Sequence, residues 1–181
     1  MGVALGVQTL RVALSDRAEV SDRLSAADAF DALGGAVLGY LRAGGSHDPE
    51  DLLGDVFLAV AAGIDRFEGD ADALRRWVFT IAHHRLVDER RRVRRRSLWR
   101  DEQREQTVVA GDPFDPALLA ALNDLTPQQR EVLVLRFVAD LSLEAVAAIT
   151  HRRVGAIKAM QLRGLRALSE RLGVDRSASG E

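Results

Sequence analysis

The sequence predicts an all-α chain of two small helical domains joined by a flexible linker. Three observations carry this. Apolar residues recur at three- and four-residue spacing along most of the chain. Capping side chains or prolines stand where several of these stretches begin. Residues 97–117 break the pattern: they hold Gly111, Pro113 and Pro116 and keep no sustained period. No strand alternation, hairpin turn or long repeat stands out.

The elements follow in order. Residues 26–43 read as a helix, weakened by Gly34-Gly35. Residues 48–64 open with Asp48 as a cap, Pro49 at the first helical position and acidic residues in the first turn. Leu52, Leu53, Val56, Phe57, Val60 and Ile64 then form a stripe. Phe67-Glu68-Gly69-Asp70 ends that helix, and Asp70 can cap the next. There Leu74, Trp77, Val78, Ile81 and Leu86 make the apolar face, and the helix runs into Arg90–Arg96. After the linker, helix signals resume at Asp115-Pro116. Thr126-Pro127-Gln128-Gln129 is a capping box. Ser142 can cap a short helix carrying Leu143, Val146, Ala147 and Ile149. A turn at about residues 150–153 leads to a last helix with Ile157, Met160, Gly164, Leu165, Leu168 and Leu172. The expected division is an extension (1–20), a first domain (21–96), a linker (97–116), a second domain (117–173) and a tail (174–181).

Composition excludes several classes. Cysteine is absent, so disulfides, thiolate metal sites and cysteine nucleophiles are out. No apolar run approaches the roughly 20 residues of a membrane span. Arg11, Asp16, Arg17 and Glu19 interrupt the first twenty residues, so a secretory signal is not expected. The expectation is a cytoplasmic protein.

The formal charge of −2 hides an uneven distribution. Residues 1–84 carry −6, residues 85–104 carry +5, residues 105–151 carry −5 and residues 152–172 carry +5. Basic blocks of this kind suit a polyanion, and acidic blocks suit a basic protein partner.

Residues 142–168 have the proportions of a helix-turn-helix. With Ile157, Met160, Gly164 and Leu168 inward, the other face shows Lys158, Ala159, Leu162, Arg163 and Arg166. Arg152 and Arg153 stand at the turn, near a helix N-terminus, where phosphates bind. A solvated bundle helix accounts for the same pattern equally well. The run Arg90–Arg96 extends a helix that also carries Trp77, Phe79, His83 and His84. Basic and aromatic groups together suit unstacked bases, although core packing is the simpler account of Trp77. His83, His84 and Asp88 lack the three or four convergent ligands of a metal site, so no metal is expected. Asp51 and Asp55, at four-residue spacing, read as a solvated or partner-binding face. No phosphate loop, catalytic spacing or cofactor motif is present.

Taken in order, DPEDLLGDVFLAV, FEGDADALRRWVFTIAHHRLVDERRR and LNDLTPQQREVLVLRFVADLSLEAVAAITHRRVGAIKAMQLRGLRAL resemble segments of the extracytoplasmic-function (ECF) group of sigma-70 family RNA polymerase sigma factors. The resemblance covers about residues 21–172. It implies a non-enzymatic promoter-specificity subunit. Residues 21–96 correspond to sigma region 2, and residues 117–173 to sigma region 4. Asp51, Leu52, Asp55, Val56 and Phe57 match the segment that binds the β′ clamp helices of core polymerase. Phe67, Glu68, Gly69 and Asp70 match the loop that captures a base flipped from the melted −10 strand. His83, His84, Arg90, Arg91 and Arg92 complete the −10 set. Arg152, Arg153, Lys158, Ala159, Leu162, Arg163 and Arg166 form the −35 set, with Arg163 first for guanine. Leu133, Val134 and Phe137 lie in the part that meets the β flap. The linker would thread toward the active-site channel. An anti-sigma factor is a further partner that the family implies. His84, Ala156, Ala159 and Met160 depart from the family's common residues, so its promoter sequences do not carry over.

Two other readings use fewer of these features. A one-component helix-turn-helix regulator, with an N-terminal domain that senses a ligand or dimerises, would bind duplex DNA alone and would not need the Phe67–Asp70 and Trp77 segment. A metal-dependent phosphohydrolase would rest on His83, His84 and Asp88.

Overall fold

A computed structural model describes residues 24–97 and 116–173. The extension, most of the linker (98–115) and the tail lie outside the described residues. The chain divides into two compact units, and every described element is helical or a turn.

Unit 1 contains α1 (Ala26–Ala43), α2 (Pro49–Gly63), a short 3-10 turn (Ile64–Arg66) and α3 (Ala71–Ser97). Helix α1 starts at a capping box between Ser25 and Asp28 and runs straight through Gly34-Gly35. Packing on one face outweighs the poor intrinsic propensity of glycine. Asp48 caps α2 by accepting from the Asp51 N–H at 3.1 Å, and Asp70 caps α3 by accepting from the Ala73 N–H at 2.8 Å. The core joins Leu33, Val37, Tyr40 and Leu41 of α1 to Val56 and Val60 of α2 and to Leu74, Val78, Phe79, Ala82 and Leu86 of α3. Tyr40 meets Phe79 edge to face, with ring centroids 5.8 Å apart.

Unit 2 contains α4 (Pro116–Asn123), α5 (Pro127–Phe137), α6 (Leu143–Thr150) and α7 (Val154–Arg171). The Thr126 capping box forms as the sequence predicts, and Ser142 caps α6. His151 ends α6 in the left-handed conformation (φ 54°, ψ 41°), which turns the chain sharply into α7. The Arg152 N–H closes that turn on the Ala147 carbonyl at 2.9 Å. Val132, Leu133, Leu135, Val146, Ile149 and Ile157 form the core. The pair α6–α7 is therefore a helix-turn-helix held against α5.

Candidate nucleic-acid and polymerase interfaces

On α2 the apolar stripe and the acidic residues point in opposite directions. Leu52, Val56 and Phe57 are buried in unit 1. Of the five residues matched to the clamp-binding segment, the three apolar members therefore pack inward. Asp51 and Asp55 are exposed, and Leu58 stands beside them at 71% exposure. A leucine that exposed, three residues from one aspartate and seven from another, shares their helix face. The sequence reading missed it because the three- to four-residue period assigned only the core stripe.

The loop after α2 is built around an aromatic stack. Phe67 lies on Trp77 with ring centroids 5.3 Å apart and planes 21° from parallel. Trp77 is therefore neither a core residue nor a free one; it is half-buried and supports Phe67. Glycines on both sides make room. A Cβ at Gly63 would lie 2.9 Å from the Trp77 ring. Gly69 has φ +154°, and a Cβ there would lie 2.8 Å from the Ala73 Cβ and 3.1 Å from the Phe67 ring. Glu68 is exposed at the loop tip. Asp70 spends one carboxylate oxygen on the helix cap. The loop thus offers a braced aromatic ring beside an exposed hydrogen-bond acceptor, the two features a flipped base needs.

Along α3, His83 and Phe79 turn inward, which corrects the expectation that they share an outer face with His84. Phe79 is buried, and His83 is 8% exposed with its Nδ1 3.0 Å from the Tyr40 hydroxyl. His84 is exposed. The basic run is also divided. Arg90 donates to the Gly44 carbonyl, and so ties α3 to the loop between α1 and α2. Glu89 reinforces that tie: its Oε1 accepts from the His47 N–H at 2.7 Å, the Ser46 hydroxyl at 3.1 Å and the Asp48 N–H at 3.3 Å. Arg91 and Arg92 are exposed, and Arg91 lies 3.7 Å from Asp88. Arg91 and Arg92 remain on the outer surface, whereas Arg90 serves the fold.

In unit 2, α7 buries Ile157, Met160 and Gly164. Lys158, Leu162, Arg163 and Arg166 are exposed on its far side, while Ala159 is half-buried. At the turn Arg153 is exposed. Arg152 instead folds back, 3.8 Å from a Glu131 oxygen and 3.4 Å from the Met160 sulfur. On α5, Leu133 and Val134 belong to the core, and Phe137 alone of the three flap candidates is outward, at 53% exposure.

Among the described residues, no cluster of His, Asp and Glu could hold a metal ion. Nor is any described helix long and apolar enough to cross a membrane.

One unit carries a helix-turn-helix with a cationic outer helix and the other a braced aromatic loop, an arrangement that suits a DNA-binding protein. Comparison with known proteins gives the family. Residues 29–96 match the sigma-70 region 2 family, and residues 116–168 match the sigma-70 region 4 family. The ECF sigma factor SigC of Mycobacterium tuberculosis is 33% identical over 135 residues, covering 71% of each protein. BldN of Streptomyces coelicolor, also an ECF sigma factor, is 32% identical over 145 residues, which cover 75% of this chain but only 55% of BldN. A solved structure of the sigma factor RpoE with the anti-sigma factor NepR from Bartonella quintana matches with a TM-score of 0.69 and 28% identity, covering 81% of this chain and 96% of that one. The chain belongs to the ECF group of sigma-70 family RNA polymerase sigma factors.

Proposed function

We propose that this chain binds core RNA polymerase in the cytoplasm and directs it to promoters by reading a −35 duplex with unit 2 and a melted −10 strand with unit 1. It performs no chemistry itself; the polymerase active site does. The observation that carries the reading is the division of faces within one small unit. Unit 1 turns acidic residues outward on α2 and basic residues outward at the end of α3.

The residues in this account are Asp51, Asp55 and Leu58 for the polymerase clamp, and Phe137 for the flap. Phe67, Glu68 and Gly69 take the −10 base, with Trp77 behind Phe67 and Asp70 capping α3. His84, Arg91 and Arg92 follow the adjacent DNA. Arg153 and Arg166 hold −35 phosphates, while Lys158 and Arg163 reach base edges. An anti-sigma factor that covers these faces is the expected regulator, as NepR is bound to RpoE.

Transcription with purified core polymerase tests the proposal, using a pool of promoters from the source genome. Initiation at defined sites only when the protein is present supports it. Tight duplex binding by the protein alone, with no polymerase-dependent start, would instead favour a one-component regulator.

A further inference from the structure

The outward helix of unit 2 has an apolar centre inside a cationic frame. Because α7 buries Ile157, Met160 and Gly164, its opposite surface line runs through Lys158, Leu162 and Arg166 at four-residue steps. Leu162 is 49% exposed and Leu165 beside it 39%. Arg153, Lys158, Arg163 and Arg166 surround them, all exposed. Beyond Lys158 and Arg163, hydrogen-bonded readout is scarce on this helix. Gly155, Ala156 and Ala159 have no side-chain donor or acceptor. Gln161, whose amide suits adenine, accepts instead from the Arg136 Nε at 3.2 Å.

An apolar protein surface pressed onto this leucine would also cover the cations around it, and burying unpaired charge is costly. A polyanion neutralises those cations as it covers Leu162. Inside a duplex major groove, the apolar group available to meet a leucine is the thymine C5 methyl. We propose that Leu162 selects thymine at one position of the −35 element through its methyl group, with Lys158 and Arg166 fixing the register on either side. The inference rests on the sigma-factor reading and deepens it: a leucine contact, rather than a hydrogen bond, sets one base of the promoter.

The test uses holoenzyme assembled from the full chain and core polymerase. A −35 element is first selected from a randomised duplex pool. Each thymine in it is then replaced singly by deoxyuridine, which removes only the methyl. Loss of about fourfold in affinity at one position is expected, the worth of one buried methyl. Leu162→Ala should bind the thymine and uracil duplexes equally, and its exposed site means an unchanged melting temperature. Uracil without effect at every position, or discrimination that survives Leu162→Ala, overturns the inference. So does a Leu162→Ala variant that keeps the discrimination but binds core polymerase less tightly, which would assign the leucine to a protein contact. If no −35 element is enriched at all, the sigma reading of unit 2 fails, and this inference falls with it.

Discussion

Gly69, in the loop between α2 and α3, has no space for a side chain: its φ is +154°, and a Cβ there would lie 2.8 Å from the Ala73 Cβ. Gly69→Ala should therefore cost about 1–3 kcal/mol in local strain and displace Phe67. The expected result is less −10 melting at unchanged affinity for core polymerase, read by permanganate reactivity of promoter thymines. Tyr40 is constrained differently, by a buried hydrogen bond to His83. Tyr40→Phe keeps the edge-to-face packing on Phe79 and removes only the hydroxyl. About 1 kcal/mol of stability should go with it, measurable in urea unfolding of the full chain. A loss several times larger would mean that the hydroxyl organises more than this one bond.

At the scale of elements, one run of arginines on α3 divides between a structural contact and the outer surface. Arg90→Ala should lower the stability of unit 1, because the side chain holds the Gly44 carbonyl. Arg92→Ala should leave stability unchanged and reduce the salt dependence of DNA binding by about one phosphate contact. Thermal melts and binding titrations at several salt concentrations distinguish the two. This difference was invisible in the sequence, where Arg90, Arg91 and Arg92 are equivalent members of one block. The helix starts, by contrast, were legible. Asp48, Asp70, Thr126 and Ser142 each cap the helix that the sequence assigns to them, because capping is a local interaction across three residues. The helix-turn-helix and, of the predicted outward set, Lys158, Leu162, Arg163 and Arg166 were legible for a similar reason, helical periodicity fixing opposite faces once the core side is known, while Ala159 of that set is half-buried. What failed was the facing of residues taken as a block. Leu52, Val56 and Phe57 were grouped with Asp51 and Asp55, and His83 with His84, although helix geometry sends them to different sides. The grip of Glu89 on residues 46–48 was out of reach, since it joins groups more than 40 positions apart.

Across unit 1, an exposed ion pair makes a small, pH-dependent contribution to stability. In unit 1 the Arg42 guanidinium bonds Glu50 at 2.5 Å and holds its carboxyl below the ordinary value of 4.5. A carboxyl with a lowered folded-state pKa stabilises the fold above its unfolded value, and that stabilisation is lost as pH falls through the lowered one. Glu50→Gln should therefore destabilise unit 1 slightly near neutral pH and not at all in strong acid. The effect is small because the Glu50 side chain is 52% exposed. Urea midpoints measured from pH 7 downward should converge for the two proteins. Such charges also bear on assembly. Asp51→Arg with Asp55→Arg should weaken binding to core polymerase without unfolding the chain, since both sites are exposed. Competition with the parent protein for a limiting amount of core would show it.

The unbroken run of α3 makes it a ruler. From Asp70, beside the aromatic stack, to Arg92 is about 33 Å along the axis at the helical rise, close to one turn of duplex DNA. On the proposed reading, the separation between the −10 base and the DNA backbone at Arg92 would be set by the backbone hydrogen bonds of α3. Four residues inserted between Arg90 and Arg91, beyond the contacts of Glu89 and Arg90 with residues 44–48, would lengthen the ruler by about 6 Å and nearly restore its facing. Two would rotate the far end by about 200° and aim the arginines away. Reach and phase, two quantities that a promoter sequence alone cannot separate, become independently adjustable in a single helix.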